Sequence, residues 1–218
     1  MLSKAKIKLI QSLELKKKRR EERLFVAEGP KVVGDLLPYF TCRLIVASNS
    51  WLEQHPHIKA DEVIEATTDE LRKASFLKAP QDVLALFELP DYPTPDNISD
   101  KELCLALDDI QDPGNLGTII RVADWFGIRH IFCSIGTTDA YSPKTVQASM
   151  GAVARVQMHY VDLPQYLSAV RSNHPQTPIY GTFLEGSNIY DEPLSTSGII
   201  VMGNEGNGIS DPVKQTVS

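Results

Sequence analysis

The stretch Leu103-Cys-Leu-Ala-Leu-Asp-Asp-Ile-Gln-Asp-Pro-Gly-Asn-Leu-Gly-Thr-Ile-Ile-Arg-Val-Ala-Asp-Trp-Phe-Gly127 decides the fold. Its first five residues are an uninterrupted apolar run, short enough to be a strand buried on both faces. Asp112, Pro113 and Gly114 then break the chain into a turn. Beyond the turn Leu116, Ile119, Ile120, Ala123 and Phe126 recur at helical spacing, and Gly127 stands where a C′ glycine belongs. The unit is strand, sharp turn, helix. Two polar side chains interrupt its pattern: Asn115 at the helix start and Arg121 close to the apolar stripe. An N-cap would explain Asn115. Arg121 is expensive to bury unless an anion or a carboxylate meets it, and a helix N-terminus is itself an anion site. Taken alone, the unit reads as structural, with Arg121 paired to a carboxylate.

Working outward towards the C-terminus, Ile199-Ile-Val-Met-Gly-Asn-Glu-Gly-Asn-Gly-Ile-Ser210 is a second buried strand opening into a loop with glycines at 203, 206 and 208. Glycines so close together mark positive φ or a backbone that must approach something closely. Gly181-Thr-Phe-Leu-Glu-Gly186 is another strand end, capped by glycine. Between these runs His130–Cys133, Arg155–Val161 and Pro178–Leu184 read as strands, and the segments starting at Ser142-Pro143 and at Leu163 read as helices. Alternation of this kind implies a mostly parallel sheet covered on both faces. The G-x-G-x-x-G fingerprint follows none of the strands, so a nicotinamide-dependent oxidoreductase is not supported.

Working outward towards the N-terminus, residues 3–20 look helical, followed by strands at 24–27, 42–47, 61–65 and 82–88. Helices follow Gly29-Pro30 and the capping box Thr67-Thr-Asp-Glu70. This alternation makes a small α/β domain over residues 1–90. The prolines and aspartates of residues 91–100 form an extended linker, and residues 101–218 form the second domain.

Composition narrows the class. Hydrophobic residues make up 42% and charged residues 23% of the 218 residues, ordinary for a soluble globular protein. No apolar run approaches a membrane span and no hydrophobic signal core follows the first lysines, so the expected setting is cytoplasmic. Cys42, Cys104 and Cys133 lie far apart in apolar runs and read as reduced core residues. The five histidines form no ligand pattern, and no metal site is expected. The net charge of −6 hides an asymmetry: residues 1–23 carry +6 and the remainder −12. A basic arm on an acidic body can steer a polyanion, although a solvated helix face with cations at its C-terminal end has the same composition.

The run D-P-G-N-L-G-T-I-I-R-x-A-x-x-F-G and the run G-N-E-G-x-G-I-S resemble the first and second motifs of the SpoU/TrmH-type RNA ribose 2′-O-methyltransferases of the SPOUT class, and the run G-T-x-L-x-G resembles that family's strand end at the cofactor. The resemblance spans most of the chain. It implies an α/β protein in which a small N-terminal RNA-binding domain precedes a mostly parallel, trefoil-knot catalytic domain. It further implies S-adenosyl-L-methionine as cofactor, RNA as partner (rRNA before tRNA) and a homodimer. On the family pattern Asn115, Arg121 and Glu205 surround the reacting centre; the purely structural reading of Glu205 is a carboxylate that pairs with Arg121 and holds it in place. The cofactor would be held by Thr182, Leu184, Gly186, Met202, Gly203, Asn204, Gly206, Gly208 and Ile209. RNA would meet Lys16, Lys17, Lys18, Arg19, Arg20 and Lys144. Guanidinium is effectively never neutral in proteins, so Arg121 is expected to grip a phosphate and stabilise a developing alkoxide rather than act as a base. A third family motif, which completes the cofactor pocket and threads the knot, has no match in residues 1–218. The resemblance therefore implies a sequence cut short or a degenerate member, and the alternative function is non-catalytic RNA binding. A chain of these residues alone is expected to be unknotted or partly wound, to lack part of its dimer contact, and to bind cofactor weakly or not at all.

Overall fold

A computed structural model describes residues 1–95, 102–192 and 194–217; residues 96–100 of the expected linker lie outside that range. The chain divides into two units, one formed by Met1–Asp91 with Asp139–Arg155 and the other by Tyr92–Thr138 with Val156–Ser218.

In the first unit, β1 (Leu24–Glu28), β2 (Cys42–Ala47), β3 (Glu62–Glu65) and β4 (Val83–Glu88) form a sheet of order β1-β4-β2-β3. β4 runs antiparallel to both β1 and β2, and β3 lies parallel to β2. Period-two alternation sends Val26, Leu44, Val46, Leu84 and Leu86 to one face, where they pack with Ile10, Leu13, Leu71 and Ala74. The helix carrying Leu71 starts at the expected capping box: Thr67 accepts from the Glu70 N–H while Glu70 reaches back to the Thr67 N–H. The helix expected over residues 3–20 is two helices, α1 (Lys4–Ser12) and α2 (Lys16–Glu22). Ile10 and Leu13 are fully buried and end the apolar face of α1. The run Lys-Lys-Lys-Arg-Arg-Glu-Glu has no apolar position with which to extend that face.

The other face of this sheet explains why Asp139–Arg155 belongs here, although the chain order places it with the second domain. The Phe25 ring of β1 packs on Tyr141 at 5.1 Å and edge-on against Phe40 at 5.3 Å. The short helix after Tyr141, Pro143–Ser149, is capped by the Ser142 hydroxyl and has proline at its first position, as the Ser-Pro signal indicates.

In the second unit, β5 (Leu103–Leu107), β6 (His130–Ser134), β7 (Gln157–Val161), β8 (Ile179–Gly181) and β9 (Gly198–Met202) form a wholly parallel sheet of order β7-β6-β5-β9-β8. Two long helices alternate with them, α6 (Pro113–Trp125) and α8 (Leu163–Asn173); intermediate helices of the first unit are α3 (Pro30–Leu36), α4 (Asn49–Gln54), α5 (Thr68–Ala74) and α7 (Pro143–Ser149). Cys104, Ala106, Phe132, Ile179, Ile199 and Val201 pack on Leu163, Leu167 and Val170 of α8, joined by Ile209 and Val213. Each such side chain contributes about 1.5–3 kcal/mol by leaving water. β8 is shorter than the expected 178–184 strand. After Gly181 the chain folds back so tightly that a Cβ there would lie 2.4 Å from the Phe183 ring.

β5 sits at the centre, with β6 and β7 on one side and β9 and β8 on the other. The loops after β5 and β9 therefore leave adjacent strands at the point where the strand order reverses, the place where open α/β sheets build their sites. Cys42, Cys104 and Cys133 are free and buried, and burial pushes the Cys42 thiol up to about 11 and the Cys104 thiol up to about 12. Among the described residues no helix is long and apolar enough to cross a membrane.

Candidate active site

The turn after β5 is organised by its acidic residues. Asp112, not Asn115, is the N-cap of α6: its Oδ1 accepts from the Asn115 N–H at 2.9 Å, and Pro113 fills the first helical position. Relieved of capping, the Asn115 side chain is exposed and donates through Nδ2 to Glu205 Oε1 at 2.8 Å. This bond joins residues ninety positions apart and brings the loops after β5 and β9 together. The Asn115 side chain donates to the Glu205 carboxyl, and the backbone amides of Glu205 and Gln111 favour its charged form. They hold it below the usual carboxylate range against partial desolvation and the nearby Asp112 charge. Glu205 is ionised at neutral pH and only accepts, which fixes the amide group of Asn115.

Arg121 is exposed on α6 and, among the described residues, makes neither an ion pair nor a hydrogen bond. The expected Glu205–Arg121 pair is not formed; Glu205 is satisfied by Asn115 and by backbone donors instead. Six residues of helix separate Asn115 from Arg121, about 9 Å along the axis. Phe126, counted above in the buried stripe, is 72% exposed, and Trp125 and Val122 are exposed beside it. The buried side of α6 is Leu116, Gly117, Ile120 and Ala123.

The loop after β9 is closed by two backbone bonds of 2.9 Å between Asn204 and Gly208. Gly203 is dictated by close approach: a Cβ there would lie 2.2 Å from the Gly208 carbonyl carbon and 2.3 Å from the Ile209 nitrogen. Gly208 takes φ +69. Of the nine residues expected to hold a cofactor, Thr182 and Gly186 line an open cleft of about 770 Å³ with Leu103, Tyr180, Phe183 and Ile200. Met202, Gly203, Asn204, Gly206 and Gly208 form the end of β9 and its loop. The side chains of the other two lie elsewhere. The Ile209 side chain is a core residue, 3% exposed, and Leu184 is fully exposed to solvent. Thr182 spends its hydroxyl on the Val201 carbonyl at 3.1 Å.

The cleft offers what an adenosyl-amino-acid group needs. Its lining is largely apolar, with Phe183, Ile189 and Ile200, and includes the polar residues Ser187 and Glu192. Among the described residues no group of three or more His, Cys, Asp or Glu side chains is placed to hold a metal.

The basic residues divide. Lys16, Lys17, Lys18 and Arg20 lie on α2, with Lys17 and Lys18 sharing Glu21. Lys18 is held above the usual lysine range by its hydrogen bond to Glu21 and that residue's charge. Arg19 is not part of this surface. It is 2% exposed and donates to the Leu13 and Glu14 carbonyls and to Asp139. A basic run on an exposed helix carried no signal that one member turns inward. Lys144 belongs to the same unit as α2, because Asp139–Arg155 does.

Sequence reasoning missed Asp109 and Gln111. Asp109 takes φ +59, rare for a residue with a side chain, and Gln111 Nε2 donates to Asp109 Oδ1 and to the Gly136 carbonyl. The dense acidic run directly after a buried strand was the available signal.

The SpoU rRNA Methylase family model matches residues 102–218, and the model of an MRM3-like substrate binding domain matches residues 4–85. A structure described as an RNA methyltransferase of the TrmH family from Porphyromonas gingivalis superposes with a TM-score of 0.91 at 42% identity, over 100% of this chain and 87% of that one. An AdoMet-bound rRNA methyltransferase from Sinorhizobium meliloti superposes with a TM-score of 0.85 at 30% identity, over 100% of this chain and 84% of that one. The Bacillus subtilis 23S rRNA (guanosine(2553)-2′-O)-methyltransferase RlmP is 27% identical over 213 residues, 94% of this chain and 81% of that protein. Because that family model spans more than half of the sequence, including the Asn115–Glu205 pair, the chain belongs to the SpoU rRNA methylase family.

Proposed function

We propose that this protein methylates a ribose 2′-hydroxyl of rRNA with S-adenosylmethionine, its first unit binding the RNA and its second carrying the chemistry. The observation that carries this reading is the 2.8 Å bond between Asn115 and Glu205 where the loops of β5 and β9 meet. When bound, S-adenosylmethionine supplies an electrophilic methyl on a sulfonium, and displacement by the ribose oxygen leaves a neutral thioether. Direct displacement asks the protein chiefly for alignment. Glu205, ionised, orients the exposed Asn115 amide, whose carbonyl oxygen and second N–H are left for the ribose. Arg121, with its guanidinium uncommitted, grips an RNA phosphate and stabilises the alkoxide character that develops as the hydroxyl passes its proton to solvent water. The loop 203–208, the cleft at Thr182 and Gly186, and the end of β9 at Met202 hold the cofactor. Lys16, Lys17, Lys18, Arg20 and Lys144 meet the RNA backbone.

The exposed Val122, Trp125 and Phe126 of α6 support a homodimer in which a second copy covers them. Three free, buried thiols and an rRNA substrate support a cytoplasmic setting.

The test is transfer of labelled methyl from S-adenosylmethionine to rRNA and tRNA transcripts, followed by alkaline hydrolysis. A methylated 2′-oxygen protects the adjoining phosphodiester, so label in alkali-resistant dinucleotides is expected from rRNA. Label confined to a base, or RNA binding with no transfer under any condition, refutes the assignment.

A further inference from the structure

Asn204 precedes Glu205, and its side chain is almost wholly engaged inside the protein. Nδ2 donates to the Asp109 carbonyl at 2.7 Å. Oδ1 accepts from the Gly206 N–H at 2.8 Å and from the Asn207 N–H at 3.0 Å. A primary amide has two acceptor lone pairs and two N–H bonds, so one N–H remains. That is little capacity for a cofactor, the role the sequence suggests for this residue.

The partner at the other end is itself fixed. Asp109, in the left-handed region, donates its N–H to Ser134 Oγ at 2.9 Å, and its Oδ1 accepts from Gln111 Nε2 at 2.6 Å. Gln111 Nε2 also reaches the Gly136 carbonyl at 3.1 Å. Ser134 meets Thr137 at 3.2 Å, and Thr137, 1% exposed, donates to the Leu107 carbonyl at 3.2 Å. The Asp109 carbonyl is therefore a rigid anchor between the ends of β5 and β6. Without Asn204 the exposed tip of the second loop, Glu205 to Asn207, would keep the Asn204–Gly208 backbone bridge at its base and the Asn115–Glu205 bond at its end.

We propose that Asn204 is a positioning residue for methyl transfer: its amide clamps the 203–208 loop to the Asp109 carbonyl and so presents Glu205 to Asn115. This rests on the methyl-transfer reading above. The clamp acts through Glu205 and touches neither substrate nor the reacting atoms. A displacement of about 1 Å at such a site is enough for a hundredfold loss of rate.

The experiment compares the full chain with Asn204→Ala and Asn204→Ser. Serine keeps a hydroxyl acceptor for the loop's own N–H groups but is too short to reach the Asp109 carbonyl. Two readouts are taken: single-turnover methyl transfer, with S-adenosylmethionine affinity and RNA KM measured alongside, and the Glu205 carboxyl titration followed by carbon NMR without RNA or cofactor. Both variants are expected to slow transfer by roughly 10- to 100-fold at saturating S-adenosylmethionine with RNA KM within about twofold. In both, the Glu205 titration should move up towards the ordinary carboxylate range. An unchanged Glu205 titration in both variants overturns the clamp, whatever the rate does. So does a serine variant that matches the wild type in rate and titration, since the bond to Asp109 is then dispensable. If Asn204→Ala does not fold, Asn204→Ser decides alone. If the wild type transfers no methyl to any RNA, the functional reading fails, while the NMR titration still reports on the clamp.

Discussion

Arg19 and Asp139, 120 residues apart in sequence, form an ion pair in which Arg19 Nη2 lies 2.6 Å and Nε 3.1 Å from Asp139 Oδ2. The arginine side chain is 3% exposed and the aspartate 16%. The remaining guanidinium nitrogen caps the carbonyls of Leu13 and Glu14, each at 2.7 Å, at the break between α1 and α2. One side chain thus sets the direction of the basic helix and fastens the start of the 139–155 segment within the same unit.

Removing one partner of that pair leaves the other charge buried and uncompensated. Arg19→Ala or Asp139→Ala is expected to cost about 3–5 kcal/mol, while replacing both with apolar residues of similar volume should recover much of the loss. Urea denaturation of the two single variants and the double variant checks this. Loss of less than about 1 kcal/mol in both singles would show the pair to be no better than a surface contact.

RNA affinity should divide α2 by exposure. Neutralising Lys16, Lys17, Lys18 and Arg20 is expected to weaken RNA binding and flatten its salt dependence, by about 0.7–0.9 in the log–log slope for each phosphate contact removed. An unchanged slope across a salt titration would mean that these side chains are solvated and make no RNA contact.

Arg121→Lys keeps the charge but loses the planar fork that holds a phosphate at two points. Turnover is expected to fall roughly 10- to 100-fold, the worth of a charged hydrogen bond, with S-adenosylmethionine affinity unchanged. Retention of most activity in steady-state assays would reduce Arg121 to a point charge.

The β6–β7 pair carries an acid-sensitive group. His159 is 2% exposed, its Nε2 meets His130 Nδ1 at 3.1 Å, its Nδ1 has no partner, and its ring stacks on Phe132 at 5.2 Å. Burial, then the His130 charge, lowers it to about 4, and burial also lowers His130. The unfolded chain, titrating near 6.5, binds this proton first, so the contribution to stability is complete above pH 6.5 and is lost as pH falls from there towards 4. The loss approaches about 3 kcal/mol from His159 at its limit. His159→Phe keeps the stacked ring and removes the titration; unfolding curves at pH 7.5, 5.5 and 4.5 should steepen with acid in the wild type and less so in the variant. Equal pH dependence in the two proteins would place the acid sensitivity elsewhere.

Gly203→Ala tests the close approach within the loop after β9. A Cβ there would meet backbone atoms of Gly208 and Ile209 at 2.2–2.4 Å, and backbone cannot swing aside as a flexible side chain can. Loss of methyl transfer is expected, with the loop's amides exchanging faster while those of β5 stay protected. Wild-type exchange at Gly206 and Asn207 would contradict the packing described.

What the sequence by itself determined was whatever a local pattern can encode. The apolar run 103–107 became β5 at those bounds, Gly127 became a C′ glycine with φ +72, and Thr67 with Glu70 formed their box, because strand period, turn chemistry and capping act within a few residues. The grouping of Asn115 with Glu205 was legible through motif resemblance, but the nature of their contact was not. Asn115 looked equally like a cap until Asp112 took that role, and Glu205 had Arg121 as an obvious partner until backbone donors and an amide satisfied it. Only the tertiary structure decided that Arg19, alone in a run of five basic residues, turns inward, and that residues 139–155 pack on β1. The physical reason is shared. Charge and hydrogen-bond pairing is short-ranged in space but indifferent to sequence distance, so a cation can meet any carboxylate the chain topology brings within about 4 Å.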